Sequence, residues 1–525
     1  MLWALGGYFL LSLAVGWWGR RRAQGTVEGY FAAGRRLPWG LAALSMVATT
    51  FAVDTPLAIT EYVRQGGLAA NWRWWNMLIG GMLSVVVFAP LWRRSGVLTD
   101  SEILSLRYGD RPAEILRAFR ALWLGGFINL IILGWVQAAM QTVLEAFVGL
   151  SSQTAYLLLI VSTLVTLVYT LIGGLWSVVW TDVVQFILAL SSTTLLMVRV
   201  LTQVDMTRIP SEAWRLFPSG EGWGVMVLLA LMGFQWWASW YPGAEPAGGG
   251  YILQRMASTP SPSAAQKALA LFQILHYAVR PITWYAVALA SLVVLPDLRD
   301  HKAAYLLMAK HFLSPAEQIM LLVGLTGAYM STISTHFNWG ASYIARDLGL
   351  PEEKALRAGL WSTIALAILS LLVVPFISSV AGAWNFLLES GAGTGFVLIL
   401  RWFWRRLSIW SEITALLAPM VGYLIFRVAA EWEFPQSYIA TVVFTVGAIL
   451  LVTWIGRGTS PEKWEAFYAK VQPTFTLKQM GLWLLGIAAG YAITFGLIEW
   501  LREGGIPWLL GAGIAGMAAF FQFLR

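Results

Sequence analysis

Hydrophobic runs long enough to cross a membrane recur along almost the whole chain. A helix of roughly 20 apolar residues spans the hydrocarbon core of a bilayer, and fifteen runs of about that length are present. They lie at about 3–18, 38–62, 71–92, 116–147, 153–174, 176–199, 222–241, 267–296, 312–345, 356–381, 383–404, 408–429, 437–456, 479–499 and 506–524. The pattern predicts an all-α membrane protein in which the whole chain, 1–525, forms one membrane-embedded unit.

The polar segments between these runs are short. The longest are 93–115, 200–221, 242–266 and 457–478, and each has the length of a loop or a surface helix. Segment 242–266 contains the stretches PGAEPAGGG and STPSPS, and clustered proline and glycine are typical of irregular loops. We expect a mobile cytoplasmic loop there.

Composition supports a membrane location and argues against nucleic-acid binding. Of the 525 residues, 58% are hydrophobic and 12% are charged, whereas a soluble domain has about 25% charged residues. The net charge is +8, but Lys and Arg form short clusters at the ends of apolar runs, so we expect no nucleic-acid partner. Most clusters fall on one side of the predicted bilayer. The positive-inside rule therefore places the N-terminus outside and the C-terminus in the cytoplasm, with the chain in the cell membrane.

A ladder of hydroxyl groups occupies the run at 312–345. Ala328, Ser331 and Thr332 follow helical spacing, and Ser331, Ser334 and Thr335 repeat it one turn later. Hydroxyl and carbonyl oxygens are hard ligands of the kind that alkali cations prefer. The alternative is that these hydroxyls bond to carbonyls of their own helix or of a neighbouring one.

A second polar stretch interrupts the run at 38–62. The segment SMVATTFAVDTP, from Ser45 to Pro56, brings small residues, three threonines, Asp54 and a proline into an apolar helix. Unwound backbone at this depth is tolerated where it lines a cavity, and an intramembrane carboxylate is a functional hypothesis by default. The alternative is an ordinary proline kink.

Two further stretches combine polar and aromatic residues. Asp182 lies near the start of the run at 176–199, where it is either a helix-start charge that the helix dipole stabilises or part of an ion path. Gln235 precedes three tryptophans at the end of the run at 222–241. That cluster is either an interfacial aromatic belt or a stacking platform for a polar organic ligand.

Enzyme signatures are absent from the sequence. It has no GxxxxGK[ST], HExxH or GxSxG motif and no cysteine, so ATP hydrolysis, metalloprotease chemistry and Cys or Ser nucleophiles are not indicated. We expect a protein that is not an enzyme.

Taken together, these residues resemble the sodium/solute symporter family, whose members carry sugars, proline, pantothenate or sialate. Four pieces match in order: YFAAGRRL from Tyr30, SMVATT from Ser45, GGLW to WTD ending at Asp182, and MSTIST from Met330. The resemblance covers about residues 1–430. It implies a leucine-transporter-like core of two inverted five-helix repeats. The repeats would be 38–199 and 222–404, with an extra helix at 3–18 and four peripheral helices in 408–524.

The resemblance also implies ligands for the coupling ion, sodium, which is the expected cofactor. The main sodium site would use oxygens of Ala48, Phe51, Ala328, Ser331 and Thr332. A second site, present in some members, would use Asp182, Ser331, Ser334 and Thr335. Substrate-binding candidates are Thr50, Asp54, Gln235, Trp237 and Trp240. Residues 50, 54 and 55 differ from the polar residues of sugar transporters in this segment, which puts sugar in doubt.

These observations predict a secondary active transporter. It would couple inward sodium movement to uptake of a small polar organic solute, such as a sugar, a sugar acid or an amino acid, by alternating access in the lipid bilayer. The alternative is a solute sensor built on the same fold, and a sugar-specific symporter is a narrower version of the first hypothesis.

Overall fold

The computed structural model describes residues 2–23, 25–218, 223–239, 249–377 and 380–524, and these residues contain helices and no strand. The principal helices are α1 (Leu2–Gly19), α2 (Trp39–Thr50), α3 (Thr55–Gly66), α4 (Leu68–Ser95), α5 (Arg111–Ala146), α6 (Ser152–Gln203), α7 (Gly224–Ala238), α8 (Gly250–Ala257), α9 (Pro262–Val294), α10 (Pro315–Asp347), α11 (Glu352–Val373), α12 (Val380–Ser390), α13 (Ile409–Ala429), α14 (Gln436–Ile455), α15 (Leu477–Glu503) and α16 (Trp508–Phe523). Shorter helices are Val27–Phe31, Glu102–Arg107, Ala304–Phe312, Gly395–Leu400 and Pro461–Val471. The predicted all-α class is confirmed.

The helices are those of a multi-pass membrane protein. Within the described residues, nine helices are long and apolar enough to cross a bilayer, and the bent pair α2 and α3 makes a tenth. The 33-residue helix α10 is also long enough to cross a bilayer. Its hydroxyl, amide and imidazole side chains make it too polar to be included among the nine apolar helices. The total of fifteen spans stays a prediction.

One 52-residue helix, α6, corresponds to the two predicted spans at 153–174 and 176–199. It bends at Gly174, which has φ 53° and ψ −140°. A Cβ at this position would lie 2.4 Å from the carbonyl oxygen of Tyr30, so both the backbone conformation and the close approach require glycine. The Gly-Gly-Leu-Trp motif thus joins two spans and seats Tyr30 against their junction.

The predicted break in the second run is confirmed. Helix α2 ends at Thr50, helix α3 begins at Thr55, and their axes differ by 61°. Pro56 lies in the first turn of α3, where its fixed φ and missing N–H are compatible with a helix start. Three of the residues between the two helices are buried: Phe51 and Val53 are 0% exposed and Asp54 is 3% exposed.

The expectation of a mobile loop over 242–266 is wrong for its second half. Residues Gly250–Ala257 form α8, in which every residue is buried, and α9 begins at Pro262. Residues 242–248 lie outside the described residues, and Gly250, the last glycine of the stretch, is the first residue of α8. Burial against neighbouring helices, which local composition does not reveal, stabilises this short helix.

Packing brings helices α2, α6, α8 and α10 together. Helix α10 lies along α6, α2 packs against both, and α8 contacts α2 and α10. Helix α1 covers another side of α6. Asp182 on α6, the end of α2 and the hydroxyl ladder of α10 therefore lie close together.

Candidate functional site

A cavity of about 440 Å³ extends from the α2–α3 break toward one exposed end of the helix bundle. This volume is in the range typical of small-molecule sites, about 300–1,000 Å³. At its buried end the lining residues are Thr49, Thr50, Asp54, Gln235, His276, Thr332 and His336. At its exposed end they include Tyr62, Arg73, Arg427, Glu433 and Phe434. The cavity therefore connects the broken helix with one face of the bundle.

Polar groups at the buried end are left for a ligand. Within the described part of the chain, Asp54 Oδ1 and the indole Nε1 groups of Trp74 and Trp384 have no hydrogen-bond partner. All three residues line the cavity. The guanidinium of Arg280 acts electrostatically on Asp54. Because buried polar groups are normally hydrogen-bonded, these atoms indicate a polar ligand in the cavity.

Two histidines that the sequence interpretation passed over also line the cavity. His336 Nδ1 lies 2.7 Å from Asn129 Oδ1, while Asn129 Nδ2 donates to the His336 carbonyl oxygen at 2.9 Å. Asn129 Oδ1 therefore accepts a hydrogen bond from Nδ1–H, and a neutral His336 offers Nε2 as an acceptor. His276 Nδ1 lies 2.9 Å from Thr50 Oγ1. The sequence does not indicate that these histidines line a cavity, because their roles depend on hydrogen-bond partners that are distant in the sequence.

Only some of the residues predicted to bind the substrate line the cavity. Thr50, Asp54 and Gln235 line the cavity. Trp237 is not among the lining residues, and its indole N–H donates to the Gly233 carbonyl oxygen at 2.7 Å. Trp240 lies outside the described residues.

The five residues predicted for the main sodium site lie on α10 and at the end of α2, and these two helices contact each other. Thr332 Oγ1 is 2.8 Å from the Thr49 carbonyl oxygen and 3.0 Å from the Ala328 carbonyl oxygen. The Ala48 carbonyl accepts from Phe51 N at 3.1 Å as the helix ends. Carbonyls at a helix C-terminus carry the negative end of the helix dipole, so these oxygens fit a small cation.

Asp182 lies beside this region and is fully buried. Its Oδ1 accepts from Ser331 Oγ at 2.8 Å, and its Oδ2 accepts from Ser45 Oγ at 2.6 Å. Ser331 thus links the carboxylate to the main site. A hydroxyl that donates its proton keeps lone pairs for a cation.

Arg255, a residue that the sequence interpretation missed, lies against the same carboxylate. Its Nη2 is 3.8 Å from Asp182 Oδ2 and 2.6 Å from Thr335 Oγ1, and its Nε donates to Ser45 Oγ at 3.1 Å. Both charged residues are 0% exposed. Ser334 instead donates to the Ser331 carbonyl at 3.0 Å. Of the residues predicted for a second sodium site, Ser331 contacts Asp182 directly, and Thr335 is connected to it through Arg255.

Comparison with known proteins gives a consistent result. The model of the Sodium:solute symporter family matches residues 30–422. The chain is 25% identical over 503 residues to the sodium/glucose cotransporter of Vibrio parahaemolyticus, covering 84% of this chain and 88% of that protein. It is 31% identical over 182 residues to sodium/glucose cotransporter 1 of Oryctolagus cuniculus, which is 34% of this chain and 26% of that protein.

A solved structure shares the fold. A sodium-coupled sialic acid symporter in a substrate-bound outward-open state superposes with a TM-score of 0.71, at 19% sequence identity, over 87% of this chain and 98% of that one. The similarity establishes a common helical architecture.

Proposed function

The chain belongs to the sodium:solute symporter family, and we propose that its cavity binds a neutral, hydroxyl-rich solute such as a monosaccharide. The protein is a multi-pass membrane transporter that performs sodium-coupled symport of a small organic solute. The observation that supports our choice of solute is the distribution of polar and charged groups along the cavity.

The lining charges favour a neutral solute over an acid or an amino acid. Three carboxylates, of Asp54, Glu389 and Glu433, face two guanidinium groups, of Arg73 and Arg427. Neither arginine belongs to the buried end, where a solute carboxylate would need a cationic partner. Arg280 is not a lining residue, but its charge acts on Asp54. With it, three guanidinium groups balance the three carboxylates, so a neutral solute completes a balanced site.

The uncharged lining also suits a hydroxylated ring. Trp74, Trp135 and Trp384 offer flat apolar faces, and Asp54 and His336 offer acceptors for hydroxyl protons. Small-molecule sites combine such apolar walls with a few placed polar groups that fix the orientation of the ligand. The departures at residues 50, 54 and 55 from the usual sugar-transporter pattern are therefore compatible with a sugar held by a different set of contacts.

We assign the main sodium site to Ala48, Phe51, Ala328, Ser331 and Thr332. A cation there would bridge α2 and α10, and thereby favour the arrangement of the broken helix that forms the solute cavity. Sodium and solute then raise each other's affinity, as linkage requires. The membrane potential supplies about 2.3 kcal/mol per sodium ion for each 100 mV, in addition to the free energy of the sodium concentration gradient.

The second sodium site remains a proposal, and Arg255 adds a condition to it. Arg255 already pairs with Asp182, so a second sodium ion would bind there by displacing the guanidinium group. Such a site should be weaker than the main one. The N-outside orientation and the two repeats, 38–199 and 222–404, also remain proposals.

Uptake into proteoliposomes tests the function. Purified protein is reconstituted, and uptake of labelled hexoses, sugar acids and amino acids is measured with an inward sodium gradient and with potassium in its place. We expect sodium-dependent accumulation of a neutral sugar. Accumulation of a carboxylate solute alone would contradict the proposed solute class, and solute binding without flux would favour the sensor.

A further inference from the structure

At the exposed end of the cavity, the core contacts the turn between two peripheral helices. Phe434, in the turn 430–435 between α13 and α14, lines the cavity together with Tyr62 of α3 and Arg73 of α4. The guanidinium carbon of Arg73 lies 5.4 Å from the Tyr62 ring centroid and 6.0 Å from the Phe434 ring centroid. Both distances are within the range of a cation–π interaction. One arginine thus holds two rings from separate segments.

We infer that Tyr62, Arg73 and Phe434 form a gate at the mouth of the cavity, so that the peripheral helices control access of the solute. We call these three residues the mouth clamp. The inference rests on the proposal that the solute binds in this cavity, and it adds a role for α13 and α14, which lie outside the proposed ten-helix core.

The turn that presents Phe434 is tied to its own helix. Trp432 N donates to the Phe426 carbonyl at 2.9 Å, the two rings stack at 5.3 Å, and Arg427 Nη1 donates to the Trp432 carbonyl at 3.0 Å. These contacts hold the turn in shape whether or not Phe434 contacts Arg73. Separation of the clamp therefore requires movement of helices rather than unfolding of the turn.

The beginning of α14 connects the clamp to the end of α7. The ring centroids of Phe434 and Tyr438 are 6.0 Å apart, and the Tyr438 hydroxyl lies 2.6 Å from Ser239 Oγ, just after the end of α7. Tyr438 is 1% exposed and lines the cavity. A shift of α7 would thus be transmitted to Phe434, which gives the gate a mechanical link to the transport cycle.

Absence of cysteine makes the gate directly testable. Because the sequence has no cysteine, Ile132→Cys introduces a single thiol at a cavity-lining position that is 4% exposed. A membrane-impermeant thiol reagent is added to sealed vesicles on the side of the mouth, and the rate of modification reports access to the cavity.

We expect Phe434→Ala to raise that rate by about two- to fivefold, the factor that corresponds to loss of one exposed cation–π contact. Arg73→Gln should have the same effect, and the double variant should add little, because both changes open one clamp. Phe434→Tyr retains the ring and should behave like the parent. Trp454→Ala is the matched control, because it removes an aromatic ring of α14 that is 73% exposed and lies outside the cavity lining.

Unchanged labelling in both Phe434→Ala and Arg73→Gln would overturn the gate, and so would equal acceleration by Trp454→Ala. If Phe434→Ala does not fold, Arg73→Gln answers the question alone. Uptake by the Ile132→Cys parent is measured separately, so that failure of the proposed solute class and failure of the gate are distinguishable.

Discussion

Helices α8 and α10 both contribute side chains beside Asp182, but the sequence pattern predicts a polar helix only for α10. On α10, hydroxyl groups recur at helical spacing within an apolar run, so a polar face was evident from the pattern alone. On α8, a single arginine follows a glycine-rich stretch, and local composition indicated a loop. In the structure Ser331 and Arg255 are both 0% exposed and both contact the Asp182 region. Periodicity reveals a polar face, whereas a lone buried charge is revealed only by its tertiary partner.

Among the variants that test this comparison, Arg255→Gln should have the largest effect, and that effect is on stability. Arg255→Gln would leave the buried carboxylate of Asp182 without its cationic partner, and breaking a buried pair typically costs about 3–5 kcal/mol. We expect a marked loss of thermal stability, much of which the double variant Asp182→Asn with Arg255→Gln recovers. Thermal unfolding in detergent measures both.

An exposed pair provides the control. Arg199 lies 2.6 Å from Glu317 at the surface, and exposed pairs contribute little to stability. Arg199→Gln should leave the unfolding temperature almost unchanged. If Arg199→Gln and Arg255→Gln destabilise equally, or if the double variant recovers nothing, the Asp182–Arg255 pair is not the stabilising element that we describe.

The same contrast explains how much of the fold and the site was predictable. The helical class and the break before Pro56 followed from hydrophobic length and helix-breaking residues. The cavity roles of His276 and His336 did not, because each depends on a partner distant in sequence: Thr50 for the first and Asn129 for the second. The position of Trp237 also could not be predicted, because an aromatic residue at a helix end looks the same whether it faces the cavity or a neighbour.

The next largest effect concerns Asp54. Its Oδ1 lacks a partner among the described residues and its side chain lines the cavity, so we expect Asp54→Asn to weaken solute binding by about ten- to hundredfold. That range corresponds to loss of a hydrogen bond to a charged group. Sodium affinity should change much less. Binding of solute and of sodium is measured separately by thermal shift or calorimetry.

A matched variant at the mouth separates cavity electrostatics from direct contact. Glu433 lines the exposed end of the same cavity, so Glu433→Gln removes one negative charge without touching the buried end. It should alter solute affinity far less than Asp54→Asn. Equal effects would indicate that Asp54 acts through net charge alone and would remove it from the proposed solute contacts.

A smaller effect is expected at Thr332, the hydroxyl that joins α10 to α2. Thr332→Val keeps the shape of the side chain but removes one proposed sodium ligand and the contact with Thr49, so apparent sodium affinity should fall about five- to tenfold. Thr332→Ser should retain most of it. Thr326→Val is the control, because its hydroxyl bonds to Leu322 in the same helix. A sodium dependence equally altered in both valine variants would contradict the assignment.

The smallest effect should come from Ser334, because this residue belongs to the second proposed sodium site and not to the main one. Its hydroxyl donates to the Ser331 carbonyl, so it takes part in a second site only by turning away from its own helix. Ser334→Ala should leave the main sodium affinity within about twofold, since loss of such a local bond costs well under 1 kcal/mol.

If sodium displaces Arg255 from Asp182, the Ser334→Ala variant should lose only a weak second component of the sodium dependence, and a reversal-potential measurement should move toward one sodium ion per solute. A reversal potential that already corresponds to one sodium ion in the unmodified protein would rule out the second ion as a coupled one. The Asp182–Arg255 pair would then be a permanent link between α6 and α8.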